Sequence, residues 1–250
     1  MKDTQAIIER VSRVNATHQH LHLAVDTSLS QIKAGQSVLA RRQSPEGERY
    51  TPYLRQQWFP VALYKETLVI ERPSSESYQP GEIVSVIGAV GEPFRFRRTL
   101  RTVLLIVWDS DPAPLLLTIP ALLANRVGVT LVLAGTAARY GAEHLPPEVE
   151  IIRGDADLNW QNRVTTVGWA DQVFAAVNPQ IEMIQMGRIY ALFKELRADV
   201  QPAYLFGVFC PPLPCGTGAC GACLLRTRGE AQLICSAGPA FDLTTVRGLG

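Results

Sequence analysis

The chain has 250 residues, with 24 Lys and Arg against 23 Asp and Glu and a net charge of +1. That balance gives no electrostatic case for a nucleic acid or an anionic membrane as partner. Hydrophobic residues make up 47%, ordinary for a globular chain with room for one large domain or two to three small ones, and the longest apolar run, Val103–Trp108, is far too short to span a bilayer.

The first 97 residues read as β-rich. Ala6–Val14 alternates loosely and His18–Val25 more clearly. Ser37–Arg41, Phe59–Leu63, Thr67–Glu71 and Ile83–Ile87 follow, separated by turn residues such as Lys33-Ala34-Gly35 and Gln79-Pro80-Gly81. Short strands at this spacing predict a small barrel or sandwich. His18, His20 and His22 share one face of their strand, with Leu21 and Leu23 on the other. Three alternating imidazoles could bind a metal, but a solvated face opposite a buried one is the usual antiparallel pattern and is the expectation here.

From 98 to 200 the period changes. Thr102–Trp108 is a continuous apolar run of the kind found in buried parallel strands. A helix is expected over Leu115–Ala124, strands at Val129–Ala134, Glu148–Ile152 and Gln172–Val177, and a mixed helix over Gln180–Leu196. Strand and helix in alternation predict a parallel α/β sheet.

Four of the five cysteines in residues 201–250, Cys215, Cys220, Cys223 and Cys235, form a C-x4-C-x2-C-x11-C array. A [2Fe–2S] cluster needs four thiolates, and the plant-type spacing is C-x4-C-x2-C with a distant fourth cysteine. Among the six residues between the first three cysteines, only Thr217 is larger than alanine. Glycine there permits unusual φ values and close backbone approach, and inward N–H groups form the anion-binding nests of Fe–S sites. Zinc competes, but structural zinc sites show two close cysteine pairs, whereas Cys235 stands alone. Disulfides suit a secreted chain, but MKDTQAIIERVSRV has no apolar signal core, so a cytoplasmic protein with thiols as ligands is expected. Cys210, outside the array, is expected to be a small buried hydrophobe.

At this point the chain resembles the iron–sulfur electron-transfer subunit of heterodimeric dihydroorotate dehydrogenase, a ferredoxin-reductase-type family. Cys235-Ser-Ala-Gly-Pro239-Ala-Phe241-Asp242 is similar to that family's C-x-x-G-P-V-F-D ending. Ala34-Gly35-Gln36, Leu54-Arg55 and Gly88-Ala-Val-Gly91-Glu-Pro-Phe94 are weaker matches. The resemblance implies a fold of three units: a ferredoxin-reductase-like β-barrel (1–97), a parallel α/β nucleotide-binding-like domain (98–200) and a small cluster domain (201–250). It implies that Cys215 and Cys220 hold one iron and Cys223 and Cys235 the other. It also implies a flavin-containing partner of the dihydroorotate dehydrogenase catalytic type, with electrons passing between nicotinamide nucleotide, FAD, cluster and the partner's FMN.

The chain departs from the family at the flavin and nucleotide motifs. In the R-x-x-x-S-like stretch Arg55 matches, as a candidate for the FAD phosphates, but Phe59 replaces the hydroxyl residue expected near flavin N5. Arg55 alone also reads as a surface arginine, and Trp58 reads either as a stacking partner for flavin or as barrel core. Between Ile70 and Pro80 no glycine remains to cradle a pyrophosphate. Val103–Trp108 runs into Asp109-Ser110-Asp111-Pro112-Ala113-Pro114, without the glycine cluster that admits a dinucleotide. The C-G-P-x-x-M turn becomes Ala176-Val177-Asn178-Pro179-Gln180-Ile181. FAD is therefore expected to bind weakly or not at all, and NAD(P) not to bind. Serine-nucleophile, zinc-hydrolase and Walker motifs are missing. The expectation is an electron-transfer subunit rather than an enzyme by itself. The alternatives are a complete FAD- and NAD(P)-dependent reductase with altered flavin binding, and a structural or redox-sensing subunit.

Overall fold

The computed structural model describes residues 2–42 and 54–249. Seven strands, β1 (Lys2–Arg13), β2 (His18–Ala24), β3 (Ser37–Arg42), β4 (Gln56–Trp58), β5 (Pro60–Tyr64), β6 (Thr67–Pro73) and β7 (Ile83–Val90), form one antiparallel sheet. Their order is β4-β3-β7-β1-β2-β6-β5. The two outer strands are separated in the chain by Phe59 alone, so the sheet must curl round on itself into a barrel. Its interior holds the alternating apolar positions: Ile8, Leu21, Leu23, Leu68, Ile70, Val84 and Val86 are all fully buried. Trp58 belongs to this interior, 2% exposed and edge-on to Tyr78; of its two expected roles it takes the packing one.

The second sheet has the order β10-β9-β8-β11-β12-β15. β8 (Thr102–Trp108), β9 (Gly128–Ala134), β10 (Glu150–Arg153), β11 (Gln172–Val177) and β12 (Leu205–Val208) run parallel, and β15 (Ala240–Asp242) adds antiparallel to β12. β8 is central, and Val103 through Val107 are fully buried, as its unbroken apolar run requires. The expected helix at 115–124 divides into α1 (Ala113–Leu116) and α2 (Thr118–Ala124). Pro120 explains the division: it lacks an N–H, and its ring opposes the carbonyl four residues back, that of Leu116. α3 (Arg163–Trp169) precedes β11. On α4 (Glu182–Leu196), Met186, Ile189 and Phe193 fall three and four apart and are fully buried.

The remaining tail forms the hairpin β13 (Leu224–Arg226) and β14 (Ala231–Leu233) and the short helix α5 (Ile234–Ala237). A single hydrophobic cluster joins barrel residues Leu39 and Val90, sheet residues such as Ile106 and Val173, and tail residues Leu213, Cys223, Cys235 and Leu249. A second cluster joins barrel to sheet, and Gly35, with φ +93°, permits it. A Cβ there would stand 2.5 Å from the Phe94 ring, and Phe94 stacks on Phe174, which stacks on Phe206.

One expectation for the barrel fails. The histidine face of β2 is not a solvated one: His18 contacts the Tyr140 ring and His20 the His144 ring, both from the second sheet's connections. His22, next to Arg10, is the only one of the three without such a cover among the described residues.

Candidate iron–sulfur site

The cysteine loop leaves β12 through Phe209-Cys210-Pro211-Pro212-Leu213-Pro214. Gly216, Gly218 and Gly221 take φ values of +65°, +79° and +68°. At Gly216 a side chain is excluded twice over, because a Cβ would also lie 2.6 Å from Leu39 Cδ1. These turns aim backbone amides at sulfur. The Thr217 and Cys220 amides donate to Cys215, the Gly218 amide to Cys235, and the Cys235 amide to Cys223 Sγ at 3.5 Å. Such donors are the groups a thiolate–sulfide cluster needs around it.

Cys220 acts on the Cys215 thiol, and Cys223 and Cys215 act on that of Cys235, so the four thiols share one neighbourhood. Two groups of three metal-type ligand atoms converge within 4.8 Å among the described residues, and neither contains a cysteine. The thiols differ in surroundings. Cys215 lies near the surface, and the Thr217 hydroxyl, with the amides, holds its thiol down at about 6. Burial, then the neighbouring Cys223, pushes Cys235 up to about 11. Cys220 is exposed, whereas Cys223 and Cys235 are 4% and 3% exposed.

Cys210 stands apart. Its side chain packs beside the core around Val208, burial pushes its thiol well up, and its amide donates to Glu182 Oε1 at 2.5 Å. Glu182 is itself buried, which pushes its carboxyl up to about 7.

The surfaces expected to take flavin and nucleotide carry packed side chains. Phe59 is 8% exposed and lies in a cluster with Ala113, Leu115 and Leu116 of α1. Helix α1 thus sits on the barrel at β5, where the family's hydroxyl would face flavin. Arg55 donates to Asp3 Oδ2 at 2.9 Å and to the Ser85 carbonyl at 2.8 Å, so a phosphate there would displace internal partners.

In an open parallel sheet ligands enter beyond the carboxyl ends of the strands where the order reverses. Here that point lies between β8 and β11. Trp108 ends β8, is 1% exposed, donates from Nε1 to the Ala156 carbonyl at 3.1 Å and lies under the Arg188 guanidinium. Asp109 turns back with φ +52° and accepts from the Thr136 amide at 2.8 Å and from Gln185 Nε2 at 2.9 Å. The sequence foresaw bulk and negative charge at this point; the internal capping by Thr136 and Gln185 left no local signal.

Residues 213–247 match the family of the iron–sulfur cluster binding domain of dihydroorotate dehydrogenase B. The chain is 27% identical over 192 residues to the probable dihydroorotate dehydrogenase B (NAD(+)), electron transfer subunit, of Methanopyrus kandleri, covering 71% of this chain and 68% of that protein. A structure of NADH-dependent reduced ferredoxin-NADP oxidoreductase, studied for flavin-based electron bifurcation, superposes with a TM-score of 0.71 at 19% identity, over 96% of this chain and 89% of the other. The flavohem-like FAD/NAD binding domain of nitric oxide dioxygenase from Vibrio cholerae O1 biovar El Tor gives 0.60 at 15% identity, over 84% and 100%. The fold is that of ferredoxin-reductase-like proteins, and the chain is similar to iron–sulfur electron-transfer subunits of the dihydroorotate dehydrogenase type. No described helix is long and apolar enough to cross a membrane.

Proposed function

We propose that this chain is the electron-transfer subunit of a flavin-dependent oxidoreductase of the dihydroorotate dehydrogenase type, with Cys215, Cys220, Cys223 and Cys235 as thiolate ligands of a [2Fe–2S] cluster. The observation that carries the proposal is the glycine-turned loop whose backbone amides donate to Cys215 and Cys223 sulfur. A [2Fe–2S] cluster supplies reversible one-electron transfer. The protein's part is to hold and expose it. Amide donors stabilise the thiolates, and burial at Cys223 and Cys235 against exposure at Cys220 leaves one side open.

That open side is apolar and uncharged. Pro212, Pro214, Ala219, Ala222 and Leu224 are exposed around Cys220, and Arg226 and Arg228 are exposed beyond them. An apolar centre with a charged rim suits a protein partner. With α1 packed on Phe59, and Trp108 and Asp109 engaged internally, the chain needs no nucleotide of its own, FAD binds weakly or not at all, and electrons cross a protein interface. The partner is a flavin-containing catalytic subunit, and the reducing cytoplasm is the compartment that keeps the thiols free. The barrel, α/β and cluster units (1–97, 98–200 and 201–250) then act as scaffold, scaffold and redox centre.

Anaerobic purification tests this. About two irons and two sulfides per chain are expected. Most should be lost on Ser substitution at any of the four ligands and retained in Cys210→Ser. Mixing with a dihydroorotate dehydrogenase catalytic subunit and dihydroorotate should reduce the cluster. Zinc in the site after reconstitution with iron and sulfide, or tight stoichiometric FAD with NADH oxidation by the chain alone, would refute the proposal.

A further inference from the structure

A second set of ligand-type side chains converges outside the cysteine loop. His20 on β2 and Glu71 on β6 are direct cross-strand partners. His144 reaches the same carboxylate from the connection that follows the single-turn segment Gly135–Arg139 of the second sheet. His20 Nε2 lies 3.0 Å and His144 Nε2 3.6 Å from Glu71 Oε2. The two rings stand 5.7 Å apart and nearly perpendicular, at 83°. All three ligand atoms lie within 4.8 Å of one another. Two donors held about 2.0–2.1 Å from one ion at a tetrahedral angle are about 3.3 Å apart. The observed separations fall on either side of that value.

The surroundings match those of a ligand set. The Glu71 side chain is fully buried, and among the described residues no lysine or arginine pairs with it. A buried carboxylate needs a charge partner as well as hydrogen bonds. Tyr140 donates its hydroxyl to Oε1 at 2.7 Å, which fixes the carboxylate and leaves Oε2 toward the histidines. The His144 ring also bonds the Gly141 backbone, and Asn15 Nδ2 holds the Gly141 carbonyl at 2.8 Å. Hydrogen bonds of this kind orient ligating histidines and carboxylates. Both histidine side chains are 21% exposed, which leaves a fourth position open to water. His18, Glu71 and Asp111 also lie close, but they offer a single nitrogen, and His18 Nε2 pairs with Asp111 Oδ2 at 3.4 Å.

We propose that His20, Glu71 and His144 bind one Zn2+-class divalent transition ion, which clamps the barrel to the α/β sheet. Two imidazoles and one carboxylate suit such an ion. The site is independent of the cysteine loop and of the electron-transfer role.

The test uses cluster-loaded protein, so that the thiols are already occupied. After dialysis against a weak chelator, calorimetric titration with Zn2+ should give one site per chain. Co2+ in the same protein should give d–d bands without new sulfur-to-cobalt charge transfer. His20→Ala and His144→Ala should each weaken Zn2+ binding more than about 100-fold, since outer-shell changes alone cost about 10–100-fold. His22→Ala, on the same strand, should leave it unchanged. Glu71→Gln preserves shape and serves if an alanine variant fails to fold: it should lose the Zn2+-induced rise in melting temperature that the wild type shows. Absence of saturable Zn2+ binding in the wild type, binding unaffected by these substitutions, or cobalt bands of thiolate origin would overturn the proposal.

Discussion

Replacing Glu182 by glutamine should make the protein more stable, and increasingly so as pH rises. Glu182 opens α4 in a buried position, with the Cys210 amide as its donor at 2.5 Å. Burial raises its carboxyl from 4.5 to about 7. A raised carboxyl pKa means that the folded state holds its proton longer than the unfolded state. The stability tied to that proton is fully present below 4.5 and is lost as pH rises through about 7. The full loss is about 3 kcal/mol, at about 1.4 kcal/mol per pKa unit. Glutamine keeps an acceptor for Cys210 and has no charge to bury. Urea unfolding of both forms at about pH 5.5 and about pH 8.5 should show the advantage of Glu182→Gln growing by about 2 kcal/mol, because part of the cost already applies at the lower pH. Since every other titrating group is common to both proteins, it cancels in the difference. A difference constant across that range, or a wild type gaining on the variant as pH rises, would refute the assignment of a neutral buried carboxyl.

Two further outcomes follow from packing. Trp108→Ala should cost about 3–5 kcal/mol in chemical denaturation, as for other buried tryptophans, without creating NADH binding by fluorescence titration, because Asp109 still caps Thr136 and Gln185. Gly216→Ala, at φ +65° and 2.6 Å from Leu39 Cδ1, should cost about 1–3 kcal/mol of strain and lower the iron content of anaerobically purified protein.

Much of the architecture was legible because its signals are local. Alternation marked the barrel strands, and the apolar run 103–108 marked the sheet's central strand. The cysteine spacing carried the cluster reading because its ligands lie within one short tail. Elements without a periodic signature were missed. α3 buries only Thr166 and Val167, while Val164 is 64% exposed, so it shows no apolar stripe. β12 and β15 are four and three residues long, too short for a period, yet both join the second sheet. The Glu71 assembly was beyond reach for a different reason. Strand pairing inside the barrel brings His20 to Glu71 from 51 residues away, and only the docking of barrel on sheet brings Tyr140 there from 69.

The hydrophobic cluster that runs through barrel, sheet and tail bears on how this molecule comes apart. Leu39 and Val90 share one buried cluster with Leu213, Cys223 and Cys235, and the amides of Gly91 and Glu92 bond the carbonyls of Cys235 and Gly238. Melting the tail opens apolar surface on barrel and sheet alike, so the three are expected to unfold together. Removal of iron from the tail should be felt as a lower calorimetric midpoint of one single transition, the barrel included.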